Sequence, residues 1–184
     1  MDDDKERALI ARAREEPEVF GELYRRYIDR IYNYHYRHTS NRVEAEDLTS
    51  RTFFKALRHL PRYRDKKGGS FQSWLFRIAH NLVVNWYRDN SRHPEVSMDA
   101  LDPLPAESGN PHRAVEKLEE QEGLLRLIDA LPEERKTLVI LKFVERMTNA
   151  EIGTVLGKTE GAVKALYYRT LATLRGEVGE EESS

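Results

Sequence analysis

Two stretches of this chain carry side chains suited to gripping a polyanion, and neither holds a set that could make or break a covalent bond. Residues 51–92 contain ten Lys/Arg against only Asp65 and Asp89, a net of +8, interleaved with Tyr63, Phe71, Trp74, Trp86 and Tyr87. Aromatic faces stack on unpaired bases, at about 1–3 kcal/mol per base, while cations track the phosphates. This is the composition of a single-strand-binding surface, although the same rings could fill a helical core. For Phe71 and Trp74 the sequence leaves both readings open.

The second stretch is Thr148–Arg175, TNAEIGTVLGKTEGAVKALYYRTLATLR. Thr148 followed three residues on by Glu151 is a capping box, so a helix starts there. Gly157 after Leu156 can take a positive φ without a Cβ penalty and ends that helix. Thr159 offers a second N-cap, and a longer helix runs from Glu160 to about Arg175. Two helices joined by a short glycine turn form a helix-turn-helix. Ile152, Leu156, Val163 and Leu166 supply its small core, and Gly153 sits where the helices cross. In the DNA-binding use of this motif the second helix enters the major groove, where Lys158, Thr159, Glu160, Lys164, Ala165 and Tyr168 would meet the duplex.

The elements that position these stretches are helical. Residues 5–37 show Leu9, Val19, Phe20, Leu23, Tyr24, Tyr27, Ile28 and Ile31 at spacings of three and four, with a break at Pro17. His35 and His38 stand three apart, but without a third ligand they do not predict a metal site. After a polar break, HTSNRVEAED, a helix AEDLTSRTFFKALRHL turns Leu48, Phe53 (or Thr52), Ala56 and Leu60 inward and ends at Pro61. Lys66–Ser70 forms a loop in which Gly68 and Gly69 allow close backbone approach, and Ser70 or Ser73 caps the next helix. That helix carries Trp74, Leu75, Ile78, Leu82, Val83 and Trp86. Residues 91–113 hold Pro94, Pro103, Pro105 and Pro111 with no apolar periodicity, the mark of a linker. Helical runs return at 114–131 and from Pro132 into the helix-turn-helix.

Charge follows the same division. The net of −2 conceals +8 in residues 51–92, −8 in 93–134, +4 in 136–176 and −4 in 177–184. Two basic blocks separated by an acidic one suggest two polyanion contacts. No apolar run approaches the ~20 residues of a membrane span, and the acidic start is no signal peptide. With no cysteine there is no disulfide, thiolate metal site or thiol sensor. No nucleophile–base pair or phosphate-binding glycine loop stands out. The expectation is a cytoplasmic, non-enzymatic, all-α protein without cofactor or metal. Its domains are 1–92, a linker 93–113, a helix-turn-helix domain 114–176 and an acidic tail 177–184.

Taken together these blocks resemble, in order and over nearly the whole chain, an extracytoplasmic-function sigma factor of bacterial RNA polymerase, a group 4 member of the sigma-70 family. AEDLTSRTFFKALRHL resembles region 2.2, FQSWLFRIAHNLVVNWYRDNSR regions 2.3 and 2.4, and LPEERKTLVILKFVERMTNAEIGTVLGKTEGAVKALYYRTLATLR region 4. The resemblance implies that Glu46, Asp47, Leu48 and Phe53 bind core polymerase through its β′ subunit. It implies that Lys66, Lys67, Phe71, Trp74, Arg77, Asn81, Asn85 and Arg88 melt and read the −10 element as single strand. It adds Arg169 to Lys158, Thr159, Glu160, Lys164 and Tyr168 as contacts to −35 duplex, and threads the acidic linker along the polymerase channel. The implied partners are core polymerase (β′ and β), promoter DNA and an anti-sigma factor, with no membrane. Ala165 and Leu166 stand where serine and arginine are common in the family, and Asn85 where aspartate is frequent. A free-standing helix-turn-helix regulator, binding duplex as a dimer, is the alternative.

Overall fold

The computed structural model describes residues 2–64, 68–90 and 128–181, and side-chain surroundings for 4–64, 68–90 and 128–175. The linker 93–113 and most of the helical run at 114–131 lie outside the described residues. Every regular element described is helical, and the chain divides into two compact units, N-terminal and C-terminal. None of the described helices is long and apolar enough to cross a membrane.

Among the described residues the N-terminal unit contains four α-helices. Helix α1 is Asp2–Glu15, with Arg12 and Arg14 in its last turn, where cations complement the helix dipole. Glu16 is extended, as a residue before proline prefers, and Pro17–Val19 forms one 3-10 turn. Helix α2, Phe20–Thr39, buries Phe20, Leu23, Tyr27, Ile31, Tyr34, His35, His38 and Thr39, a single stripe at spacings of three and four.

Helix α3 begins three residues before the sequence expectation. It spans Arg42–His59, because Asn41 caps it by accepting from the Glu44 N–H at 3.1 Å. The polar break therefore shrinks to Ser40 and Asn41, with Ser40 left-handed at φ 49°. Polarity suggested a loop, but Asn41 with Glu44 three residues later was itself a helix-start signal. Leu48, Ala56 and Leu60 are buried, and so are both Thr52 and Phe53.

Helix α4, Phe71–Asn90, opens on a reciprocal cap. Ser70 Oγ accepts from the Ser73 N–H, and Ser73 Oγ accepts from the Ser70 N–H. Its inward face is Phe71, Ser73, Leu75, Phe76, Ala79, Leu82 and Val83. Phe76, fully buried and edge-on to Tyr34 at 5.3 Å, was not among the expected core residues.

In the C-terminal unit, Pro132 precedes α5, Glu133–Val139, with Glu133 and Glu134 in its first turn. The helix then widens into a π turn at Ile140–Val144 before running toward α6, so it is not one continuous α-helix. Lys136, 6% exposed, reaches Asp129 at 2.8 Å. Helices α6, Asn149–Leu156, and α7, Glu160–Glu181, form the helix-turn-helix.

Candidate nucleic-acid interface

On α4 burial sorts the residues into two faces. With Leu75, Phe76, Ala79, Leu82 and Val83 inside, Arg77, Asn81, Val84 and Arg88 are exposed and Trp74, Ile78 and Asn85 half-buried. Positions 74, 77, 81, 85 and 88 follow one another at three and four, so they share one stripe about four turns long. The structure thus brings together Trp74, Arg77, Asn81, Asn85 and Arg88. Arg88 also approaches Asp89 at 3.6 Å, a weak and solvent-exposed pair.

Phe71 is different. At 2% exposure it is core, packed against Tyr27 and Tyr63 at 5.6 Å each. Trp74 rests on that core, 5.3 Å from Phe71 and 5.0 Å from Tyr63. Trp74 is therefore the half-exposed ring of this pair, and Phe71 lies beneath it in the core. Trp86 and Tyr87 are also structural. Trp86 Nε1 donates to Glu44 Oε2 at 2.9 Å and Tyr87 hydroxyl donates to the His38 carbonyl at 2.6 Å, tying the end of α4 to α3 and α2. Lys66 and Lys67 lie outside the described residues. Beside them Gly68 has φ 79°, a conformation that side chains rarely adopt.

The expected polymerase contacts on α3 split likewise. Glu46 and Asp47 are exposed, with Asp47 3.3 Å from Arg51. Leu48 and Phe53 are 1% and 5% exposed and belong to the core, Phe53 meeting Tyr24 edge-on at 4.7 Å. The outward apolar residues are Val43, Phe54 and Leu57, with Phe54 67% exposed. Val43, Asp47, Ser50, Phe54 and Leu57 continue one stripe at four, three, four and three. Sequence reasoning missed Phe54 and Leu57. The available signal was an excess: α3 has more apolar positions than one inward face can hold.

A buried polar network sets the rotation of these helices. Thr52 hydroxyl donates to the Leu48 carbonyl, so His35 Nε2–H must be the donor in the 2.9 Å bond to Thr52 Oγ1. His35 Nδ1 has no partner, and burial foremost, then the neighbouring His38, pushes its pKa down to about 3. The ring is a neutral tie between α2 and α3. Tyr34 hydroxyl meets His80 Nδ1 at 3.0 Å, fixing α4 next to Asn81. Among the described residues no group of side chains could hold a metal ion.

The helix-turn-helix is built as its sequence expects. Thr148 makes the full capping box with Glu151, and Gly157 is left-handed at φ 66°. Thr159 Oγ1 accepts from the Ala162 N–H at 3.2 Å. Ile152, Val163 and Leu166 are buried, whereas Leu156 is partly exposed and Val155 is buried. A Cβ on Gly153 would stand 2.6 Å from the Lys158 carbonyl oxygen. The glycine thus admits the turn backbone, more than the crossing helix. Lys158, Thr159, Glu160, Lys164, Ala165, Tyr168 and Arg169 are all exposed. Lys158 Nζ is 2.8 Å from Glu134 Oε1.

Two family models match the chain: sigma-70 region 2 over residues 23–93 and sigma-70 region 4 over residues 121–174. The ECF RNA polymerase sigma factor BldN of Streptomyces coelicolor is 36% identical over 90% of this chain and 63% of its own length. SigE of Mycolicibacterium smegmatis is 34% identical over 89% and 63%. ShbA of Streptomyces griseus is 32% identical over 71% of this chain and 70% of its own. The chain thus spans somewhat under two thirds of BldN and SigE. The fold matches that of CnrH, solved in complex with the cytosolic domain of CnrY, with a TM-score of 0.67 at 20% identity over 95% of this chain and 97% of that one.

Proposed function

This chain belongs to the sigma-70 family, among its ECF members, and from that premise we propose that it is a dissociable transcription initiation factor. In this reading it binds core RNA polymerase, recognises −35 duplex through α7 and opens and reads the −10 element along α4. It makes no covalent bond and works where the polymerase works, in the cytoplasm. Its domains in this reading are 1–92 and 114–176, joined by the acidic linker 93–113 and followed by the acidic tail 177–184. A protein antagonist covering these surfaces, an anti-sigma factor, would regulate it.

The observation that carries the reading is the outward stripe of α4. A free duplex-binding regulator needs one reading helix, and α7 already supplies it. This chain has a second surface in its other unit, with cations at Arg77 and Arg88, amides at Asn81 and Asn85, and one supported ring at Trp74. That combination suits unpaired bases. A base leaving the stack costs a few kcal/mol, which stacking on Trp74 and amide contacts must offset. On α3, Glu46 and Asp47 beside Phe54 and Leu57 form the proposed polymerase contact: apolar anchors with an acidic rim, supported underneath by Leu48 and Phe53.

The test is permanganate reactivity of unpaired thymines on a cognate promoter, with transcription from duplex and pre-opened templates. Asn81→Ala should keep core binding and −35 contact but impair opening. Lys164→Ala should weaken recruitment and spare the pre-opened template. Asp47→Lys should weaken core binding without DNA. A wild-type chain that grips duplex tightly yet never opens a promoter with core polymerase would replace this reading with the free-standing regulator.

A further inference from the structure

We propose that Glu134 is a built-in competitor for the DNA phosphate that Lys158 would otherwise hold, so that Lys158 adds little net counterion release when the duplex binds. The proposal rests on the −35 reading of the helix-turn-helix. Lys158 lies in the turn, directly before the Thr159 cap, at the end of α7 that approaches the DNA backbone in this motif. Its backbone is fixed: its N–H donates to the Gly153 carbonyl at 2.9 Å, and its own carbonyl lies over Gly153, where a Cβ would clash at 2.6 Å. Only the side chain can swing, and it is held 2.8 Å from the Glu134 carboxylate.

Glu134 does not need that lysine. It sits in the first turn of α5, where a carboxylate is already stabilised by the helix dipole. Nor is the pair locked away, since the side chains are 34% and 51% exposed. A pair this open contributes little stability and exchanges partners readily. Carboxylate and phosphate oxygens offer the ammonium the same acceptor chemistry. Among the described residues Lys158 is in an ion pair while Lys164 and Arg169 are in none, so the restraint falls on one cation of the surface.

The consequence is a matter of ion counting. A lysine that neutralises a phosphate releases a condensed cation, worth a slope of about −0.9 in log K against log salt. If Lys158 stays on Glu134 in the complex, the phosphate it would have met keeps its condensed cation, and the net release from Lys158 falls toward zero. A buttress that merely braced the turn would leave the salt slope alone and lower the melting temperature when removed.

The experiment measures salt-dependent affinity of the full chain for a fluorescent promoter duplex enriched from random-sequence DNA by the wild-type holoenzyme. Glu134→Gln should bind roughly 2- to 5-fold tighter at low salt, with a slope steeper by up to about 0.9. Lys158→Gln in the wild-type background should leave the slope unchanged, and in the Glu134→Gln background should abolish the gain. An unaltered slope in Glu134→Gln, or weaker binding with a lowered melting temperature, overturns the proposal. A slope about 0.9 flatter in Lys158→Gln alone overturns it independently of how Glu134→Gln folds. Lys164→Gln is the control on the underlying reading. If it changes neither affinity nor slope, the −35 assignment fails, whatever Glu134 does.

Discussion

The two proposed reading surfaces are built by different routes in the two units. In the C-terminal unit the surface is fixed locally: a cap at Thr148, a left-handed glycine at 157 and a cap at Thr159 set where each helix begins and ends. In the N-terminal unit the surface of α4 is what remains after the core has taken its share. Phe71, Leu75, Phe76, Ala79, Leu82 and Val83 go inside, and the stripe through Arg77, Asn81 and Arg88 is left. A surface set by local signals is readable residue by residue; one set by tertiary packing depends on partners distant in the chain.

The sharpest way to break the comparison is at Phe76. Its ring is fully buried against Tyr34, and Phe76→Ala should cost about 3–5 kcal/mol. If the N-terminal surface depends on its core, hydrogen-exchange protection should fall throughout α2–α4, and promoter opening with it. Protection in α6 and α7 should hardly change. Equal loss in both units would mean that they do not fold as separate bodies.

Gly153→Ala asks the converse question of the C-terminal unit. The added methyl meets a backbone carbonyl, not a flexible side chain, so the turn must shift, at about 1–3 kcal/mol. The expected result is a lowered melting temperature and weaker duplex binding with core-polymerase binding intact. Gly161→Ala, where a Cβ would meet nothing within 4 Å, is the matched control for stability.

These cases show what was legible. Helical class, the break at Pro17, the caps at Thr148 and Thr159 and the glycine turn are short-range properties, written within a few residues. Asn41 was legible too, since Glu44 stands three residues after it, the spacing of a helix start. The roles of Phe71 and Trp74 were not separable in advance. Both are aromatic, three residues apart on one helix, and only the positions of Tyr27 and Tyr63 decide that one ring is covered and the other supported. The same holds for Phe53 and Phe54, neighbours on α3, of which one lies against Phe20 and Tyr24 and the other faces solvent.

Acid should separate the units further. His35 is buried neutral with a folded pKa of about 3, against 6.5 for the free side chain. Below pH 6.5 the unfolded chain takes a proton that the folded one refuses, so stability present at neutral pH is lost as pH falls through that window toward 3. The slope is at most about 1.4 kcal/mol per pH unit, and about 1 kcal/mol should be lost between roughly pH 6.5 and 5.5. Residues 128–181 contain no histidine, so their exchange protection should stay level over that interval. His35→Gln should lower N-terminal stability at neutral pH but flatten its acid dependence. An equally steep loss in both units would assign the effect to carboxylates instead.

The smallest effect is the most direct measure of local control. Helices α3 and α6 each begin at a side-chain cap, Asn41 and Thr148, and replacing either by alanine should cost about 1 kcal/mol. The functional consequences should differ. The first turn of α3 has other holds: Trp86 donates to Glu44, and Ala45 and Leu48 are buried. Asn41→Ala should therefore shift stability and leave core binding within about 2-fold, since a fraying cap does not move the stripe through Asp47 and Phe54. Helix α6 has only eight residues, and its cap satisfies two backbone donors at once. Thr148 Oγ1 accepts from the Glu151 N–H, and Glu151 Oε2 accepts from the Thr148 N–H at 2.8 Å. Losing that box in so short a helix loosens the support under Gly153 and the turn that sets α7. Thr148→Ala should thus weaken duplex binding several-fold at an unchanged salt slope, because no phosphate contact is removed. Thr148→Ser, which keeps the acceptor, should restore it. Anisotropy titrations across salt, beside thermal melts of the same proteins, measure both halves. If Thr148→Ala lowers the melting temperature and leaves affinity untouched, the C-terminal surface is held by its core after all, as α4 is.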